Sequence, residues 1–507
     1  MSRQDAFYIL LTSVGLVFSF PPFPVGFLAL AALVPFFFYL RGKRLRDAFR
    51  GGYAVGLLWA CGMIYWIGWA TIIGLVGALI WMPISFALFS MFQSWLCRKW
   101  GEKSLIAAPV LWTGIEIVFS WGEMGFTWNS LAYTQTYTPI LIQSASVFGM
   151  FGITFWVVLF NVMLYFIVAR GWKWRYSRWV TLGLGLLLIL PAGYGWRMLT
   201  RPAQSAAKIK ISLVQGNIDP YRKWSPSFID SNFVVYGRLT RQASAQKPDL
   251  IVWPETATPC YLRYRLNYLG EVKSMVDSMG IPLLTGAPDY EWAEGRKAKS
   301  YNAAFFIEPH SWKIDSYYKM QLVPFSERVP LVGKFPFLYD LARRTDLDIG
   351  GFTPGDSVAV FKFIKQPEAV EIPFAAIICY ESIFPYLVRK FVRDGAQFLL
   401  VITNDGWFGN TSGPIQHAQY AVFRAVENRV WIARCANTGI SEFIDPMGRI
   451  RARTRFNEEA VLTESLSAGG GNTFFTAHGD WFVNCVIGLN LLVLGVTLIV
   501  RRGRGGS

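Results

Sequence analysis

Three short strings in this 507-residue chain hold side chains that do covalent chemistry. In IVWPETATP, 251–259, an apolar run ends at Glu255. YYKMQLVPFSERVP, 317–330, carries Lys319 and Glu327. In IICYESIFP, 377–385, a second apolar run ends at Cys379, and Glu381 follows closely. A thiol titrates at about 8.5, and a nearby ammonium favours its thiolate. A carboxylate within hydrogen-bond reach can take the thiol proton and later return it to a leaving group. A lysine together with a backbone N–H can hold the oxyanion of a tetrahedral intermediate. The set therefore reads as nucleophile, base and stabiliser. Taken singly, each residue has an ordinary reading. A cysteine after an apolar strand packs in a core. A glutamate after Trp-Pro ends a strand or caps a helix. A lysine in a polar turn is a solvated charge.

The elements that must position these residues lie between about 200 and 475, where charge returns and apolar runs shorten to strand length. The pattern predicts strands at Ile209–Gln215, Leu250–Trp253, Pro282–Thr285, Ala303–Ile307, Val358–Phe363, Ala375–Cys379 and Phe398–Thr403. Val430–Ala436 reads as a strand or a helix end. Helical patterns intervene at Phe228–Ala245, Tyr268–Met279 and Pro414–Asn428. Alternating β and α with buried strands indicates a layered α/β domain, and reactive groups gather where its strands end.

The rest of the chain has another character. The whole is 53% hydrophobic and only 16% charged, against roughly 25% charged in soluble domains. Apolar spans fall near 7–23, 26–40, 52–71, 73–96, 104–121, 140–169, 179–198 and 480–500. Each approaches the roughly 20 residues that cross about 30 Å of hydrocarbon. The first has no clear small-residue cleavage site and is followed at once by another, so it reads as retained. Basic residues follow every even-numbered span: Arg41, Lys43, Arg44, Arg46 and Arg50; Arg98, Lys99 and Lys103; Arg170, Lys173, Arg175 and Arg178; Arg501, Arg502 and Arg504. The connections near 72 and at 122–139 carry no Lys or Arg. That alternation predicts cytoplasmic termini and an extracytoplasmic 200–475 section. It also accounts for the net charge of +16 without nucleic-acid binding. The expected organisation is a membrane part with seven helices over 1–199, an extracytoplasmic α/β domain over 200–475, and an eighth helix with a cytoplasmic tail over 476–507.

Six cysteines show no close pairs, and three histidines make a structural zinc site unexpected. Pairing of Cys260 with Cys435 is left open by sequence. His417 reads as a cap or surface group. Glu116 lies within a span, where a carboxylate is costly, while Glu123 and Asn129 read as interfacial. The apolar and basic stretch 332–344 is expected to touch the membrane surface, gate lipid entry or pack as a surface loop.

Glu255 in WPE, Lys319 before LVPF and Cys379 in CYE resemble the Glu-Lys-Cys triad of the nitrilase (carbon–nitrogen hydrolase) superfamily. With eight spans around that domain, the whole chain resembles the apolipoprotein N-acyltransferase family. The resemblance implies an αββα sandwich in the bacterial inner membrane, with the catalytic domain in the periplasm. It implies a ping-pong reaction in which Cys379 takes the sn-1 acyl chain of a phospholipid, typically phosphatidylethanolamine. The acyl group then passes to the α-amine of a diacylglyceryl-cysteine at an apolipoprotein's N-terminus. Glu255 would be base then acid, and Lys319 the oxyanion holder. Glu327, Tyr380 and Glu381 match supporting positions. Trp224 in QGNIDPYRKW, and Asn404 and Trp407 in TNDGWFG, match substrate-handling positions. No cofactor is implied: no metal, nucleotide or acyl-CoA. Competing expectations are a membrane-tethered amidase or nitrilase for a small amide, a transporter, and a lipoprotein-binding module without activity. The span centres, largely free of Lys, Arg and Asp, weigh against transport.

Overall fold

The computed structural model describes residues 2–170, 174–201, 207–292, 298–332, 334–335 and 351–499. They divide into two compact units: Met1–Tyr65 with Leu75–Arg201 and His478–Ser507, and Trp66–Gly74 with Pro202–Ala477.

The first unit is helical. Among the described residues, four helices are long and apolar enough to cross a membrane: Ile72–Trp100, Ala145–Ala169, Arg178–Leu199 and Trp481–Ile499. The other expected spans are shorter or broken. Arg3–Ser19 begins with a capping box between Ser2 and Asp5 and stops just before Pro21, where no N–H is available to continue it. The 26–40 stretch divides into a 3₁₀ turn, Ala29–Ala32 and Val34–Leu40. Leu45–Met63 starts among charged residues, and Ala108–Phe119 follows a 3₁₀ turn rather than extending it. Glu116 is buried and surrounded by donors. Trp112 Nε1 lies at 2.9 Å, Ser130 Oγ at 2.7 Å, Leu131 N at 3.0 Å and Thr154 Oγ1 at 2.8 Å. Those bonds offset the cost of removing the carboxyl from water. Glu123 is exposed, whereas Asn129 is buried within this unit.

The second unit is built on two six-stranded sheets. Its strands are β1 (Lys208–Gln215), β2 (Leu250–Val252), β3 (Leu283–Trp292), β4 (Ala298–Ile307), β5 (Ile314–Tyr318), β6 (Phe361–Lys365), β7 (Val370–Ile378), β8 (Phe398–Thr403), β9 (Trp431–Ala436), β10 (Glu442–Ile444), β11 (Ile450–Arg453) and β12 (Ala460–Ser467). One sheet runs β12-β1-β2-β3-β4-β5, the other β11-β10-β9-β8-β7-β6. Each has a parallel centre, β1-β2-β3 and β7-β8-β9, flanked by antiparallel strands.

The central strands read as continuous apolar runs because both of their faces are covered. Helices Pro226–Ser244 and Leu266–Met279 supply Phe233, Tyr236, Leu239, Leu269, Val272 and Val276 to one side of the first sheet. The inner faces of the two sheets meet through pairs such as Phe306 and Phe374, ring centroids 5.2 Å apart. Cys435 on β9 places Sγ 3.3 Å from the Val252 carbonyl on β2. Neither Cys435 nor Cys260 is in a disulfide. All eight strand segments expected from sequence are strands, including the one left ambiguous at 430–436. Strands β5, β10, β11 and β12 were not anticipated, being short or half exposed at sheet edges. Most of the stretch 332–344 lies outside the described residues.

On β3, Gly286 sits directly beneath the turn that follows β2. A Cβ there would stand 2.6 Å from Thr256 N and 2.7 Å from Glu255 Cα, both backbone atoms that cannot swing away. Gly286→Ala is therefore expected to destabilise the unit by about 1–3 kcal/mol, read as a lower midpoint of thermal unfolding in detergent. An unchanged midpoint would show that the turn has slack.

Candidate active site

Loops leaving the parallel centres of the two sheets, together with the turn after edge strand β5, carry the reactive groups. Glu255 follows β2, Lys319 follows β5, Cys379 follows β7 and Asn404 follows β8. Glu255, Lys319 and Cys379 are 6%, 1% and 8% exposed, so their charges act with little water between them.

Lys319 Nζ lies 2.9 Å from Glu327 Oε1 and 3.5 Å from Glu255 Oε1. Burial disfavours its ammonium, but the Glu327 and Glu255 carboxylates more than offset that and hold its pKa above the ordinary lysine range. The Cys379 thiol is within electrostatic reach of Glu255 and Lys319. Burial and then the Glu255 charge push its pKa up, with Lys319 opposing them. Cys379 thus rests as a thiol, and to act as a nucleophile it would need a base to activate it. The φ of Cys379 is +52°, a conformation that L-residues rarely adopt and that often marks functional sites.

Each supporting carboxylate has a specific task in the geometry. Glu327 accepts from Val323 N at 2.8 Å, which closes the turn after Lys319. Glu381 accepts from Tyr317 Oη at 2.6 Å, Met320 N at 2.7 Å, Gln321 N at 3.2 Å and Ile378 N at 2.8 Å. It ties the residues flanking Lys319 to the residue before Cys379. Burial nevertheless pushes the Glu381 pKa up, and its hydrogen bonds act against that shift. Tyr380 is buried, with its ring 5.0 Å from Phe384. The backbone N–H of Asn404 donates to Glu255 Oε2 at 3.0 Å.

Four further residues carry the site and were not among the site residues expected from sequence. Asn302, on β4, donates from Nδ2 to Glu255 Oε1 at 2.8 Å and to Glu327 Oε1 at 3.0 Å, bridging the two carboxylates. Asn437, after β9, donates to Asn404 Oδ1 at 3.0 Å and accepts from Ile218 N and Tyr236 Oη. It thereby clasps the ends of both sheets. His417, expected at the surface or as a cap, is 1% exposed, with Nδ1 2.8 Å from Asp405 Oδ1. Lys223 is 2% exposed and donates to the carbonyl and hydroxyl of Thr256, itself at φ +49° just after Glu255. The signal available for Lys223 was its place in the YRKW string beside Trp224.

Trp224 is 40% exposed, with Lys223 Nζ 5.5 Å from its ring centroid. Trp407 packs edge-on against Tyr221 at 5.0 Å. Neither tryptophan is part of the buried cluster. Beside them runs the Trp66–Gly74 segment, read from sequence as lying within spans and their connection. Trp66 Nε1 donates to Gln416 at 2.9 Å, its ring lies 4.5 Å from Phe408, and Tyr221 Oη donates to the Trp69 carbonyl at 2.9 Å.

Burial pushes the Lys223 pKa down to about 7, and the Glu255 charge opposes this only in part. An unfolded lysine titrates near 10.4. Between those values the unfolded chain binds more protons, so wild-type stability rises with pH there. Below 7 both states are protonated and the burial cost is fully present. Lys223→Met removes this dependence. Its stability relative to wild type should be most favourable at pH 6.5 and decline towards pH 9, measured by thermal unfolding. A pH-independent difference would contradict a depressed Lys223.

The family model of the carbon–nitrogen hydrolases matches residues 210–471, and that of the apolipoprotein N-acyltransferase N-terminal domain matches residues 12–163. A relative named apolipoprotein N-acyltransferase from Geobacter metallireducens is 37% identical, with 96% of this chain and 94% of the relative covered. One of the same name from Chlorobaculum tepidum is 33% identical, with 98% and 97% covered. A third, from Methylococcus capsulatus, is 31% identical, with 90% and 87% covered. With helices of membrane-crossing length in the first part and a carbon–nitrogen hydrolase domain in the second, the chain belongs to the apolipoprotein N-acyltransferase family.

Proposed function

We propose that the protein transfers the sn-1 acyl chain of a phospholipid to the α-amino group of an apolipoprotein's N-terminal diacylglyceryl-cysteine, through a thioester on Cys379. The observation that carries this reading is the buried cluster of Lys319 with Glu255 and Glu327, set within electrostatic reach of the Cys379 thiol. Phosphatidylethanolamine is the proposed donor.

Glu255 takes the Cys379 proton as sulfur attacks the ester carbonyl. The oxyanion is met by the Lys319 ammonium and a backbone N–H. Collapse breaks the ester C–O bond, the departing glycerol oxygen takes the proton from Glu255, and lysophospholipid leaves. The apolipoprotein's neutral amine then attacks the thioester carbonyl, again under Lys319, and Glu255 receives the proton lost from nitrogen. Collapse of the second intermediate breaks the C–S bond and returns that proton to sulfur, leaving the amide product. Glu327 and Asn302 orient Lys319 and Glu255 between the two half-reactions. Tyr380 and Glu381 hold the nucleophile's turn, while Trp224, Asn404 and Trp407 take part in substrate binding.

Residues 1–199 and 476–507 are proposed as the eight-span membrane part and cytoplasmic tail, and 200–475 as the periplasmic catalytic domain. Both substrates are lipid-anchored, so a site at headgroup height receives them by diffusion in two dimensions. Excluding water there favours aminolysis of the thioester over hydrolysis.

The test supplies purified protein with phosphatidylethanolamine labelled in its sn-1 chain and a synthetic diacylglyceryl lipopeptide. The label should appear in amide linkage at the peptide's N-terminus, with Cys379→Ala slower by at least about 10³-fold. Release of the label as free fatty acid, with the peptide unmodified, would make the protein a lipid hydrolase. No transfer from any phospholipid, alongside turnover of a small amide, would make it an amidase.

A further inference from the structure

The nucleophile's own carbonyl has a buried partner system that the reaction above does not use. Ser382 Oγ donates to the Cys379 carbonyl oxygen at 2.8 Å. His417 Nε2 lies 3.1 Å from the same oxygen and 3.0 Å from Ser382 Oγ. The far side of the His417 ring is held as closely. Its Nδ1 is 2.8 Å from Asp405 Oδ1 and 3.0 Å from Arg434 Nη2, while Arg434 Nη2 also donates to Asp405 Oδ2 at 2.7 Å. Thr403 Oγ1 donates to Asp405 at 3.0 Å, and Arg434 Nη1 donates to the Ile440 carbonyl at 2.9 Å. Asp405 and Arg434 are both 0% exposed. Burial pushes the Asp405 carboxyl up, but Arg434 and His417 outweigh it and hold it down at about 2.

A carbonyl oxygen can only accept, so the contact with Cys379 requires a hydrogen on Nε2. This holds whether Nδ1 donates to Asp405 or accepts from Arg434. Burying polar side chains is costly unless each is bonded; Ser382 and His417 both bond this one backbone atom, and Asp405 and Arg434 hold the far side of the His417 ring. That atom belongs to the Cys379–Tyr380 peptide. In a planar trans peptide the N–H points opposite to the C=O. Fixing the Cys379 carbonyl therefore fixes the direction of the Tyr380 N–H. A hydrogen bond to the carbonyl also polarises the peptide and strengthens that N–H as a donor. The need is real at this position, because Cys379 holds a φ of +52° that its neighbours must enforce.

We infer that His417, braced by Asp405 and Arg434, is a positioning residue that locks the Cys379–Tyr380 peptide plane and aims the Tyr380 N–H at the oxyanion of both tetrahedral intermediates. The inference rests on Cys379 being the acylated nucleophile.

Two near-isosteric variants test it. In His417→Gln the amide nitrogen takes the place of Nε2 and can still donate to the carbonyl. In His417→Asn it takes the place of Nδ1, and the carbonyl loses its partner. Single-turnover acylation by phosphatidylethanolamine is compared with alkylation of Cys379 by iodoacetamide, a displacement that forms no oxyanion. Acylation by His417→Asn should fall by about 10²-fold, with KM and the alkylation rate near wild type, and His417→Gln should recover most of the loss. Equal acylation rates in the two variants, or acylation and alkylation falling together in His417→Asn, would overturn the positioning role. Wild-type protein that forms no acyl adduct on Cys379 would instead overturn the reading beneath it.

Discussion

One buried ammonium organises this catalytic unit. Lys319 is almost wholly removed from water, and such a charge is tolerated only when opposite charges and hydrogen bonds replace its hydration. Glu327 at 2.9 Å and Glu255 at 3.5 Å do so. Two carboxylates around one cation would repel each other, and the Asn302 amide bonded to both draws them into a fixed spacing. The same arrangement sets the chemistry. In the proposed reaction the charged Lys319 meets the oxyanion, and burial together with the nearby Glu255 carboxylate disfavours the Cys379 thiolate.

The two sheets serve to bring the loops that carry this cluster together. Glu255 and Asn302 belong to one sheet, Cys379 and Asn404 to the other, and the bond from Asn404 N to Glu255 crosses between them. Glu381 then binds the Lys319 turn to the Cys379 turn through four donors. Glycine at 286 lets the Glu255 turn lie against β3. Lys223, below Thr256, and His417, behind Cys379, each support a residue of positive φ at or beside a reactive group. Strain beside Glu255 and at Cys379 is thus met by separate buried polar contacts.

Much of this was legible in the sequence where the signal is local. Glu255 and Cys379 end apolar runs that become β2 and β7, and buried parallel strands are the runs that composition marks most clearly. Lys319 and Glu327 share one short turn. What stayed hidden depends on distant partners. Asn302 sits in an ordinary strand, and only the fold brings it between Glu255 and Glu327. His417 on an amphipathic helix and Arg434 in a strand look like surface or edge residues until Asp405 is placed beside them. Strands β10 to β12 were missed because they are short or carry charge on an exposed face. In the helical unit, hydropathy located apolar segments but not their breaks. Prolines and 3₁₀ turns interrupt several of them, and among the described residues four helices have full membrane-crossing length.

The proposed reaction depends most directly on proton removal from a resting Cys379 thiol by Glu255. Intact-mass spectrometry after incubation with phosphatidylethanolamine tests it, comparing wild type with Glu255→Gln and Cys379→Ala. The account predicts a hydroxylamine-labile gain of one acyl chain in wild type, formed at least about 10²-fold more slowly in Glu255→Gln and absent from Cys379→Ala. An adduct that persists in Cys379→Ala, or one that forms in Glu255→Gln as fast as in wild type, would contradict it.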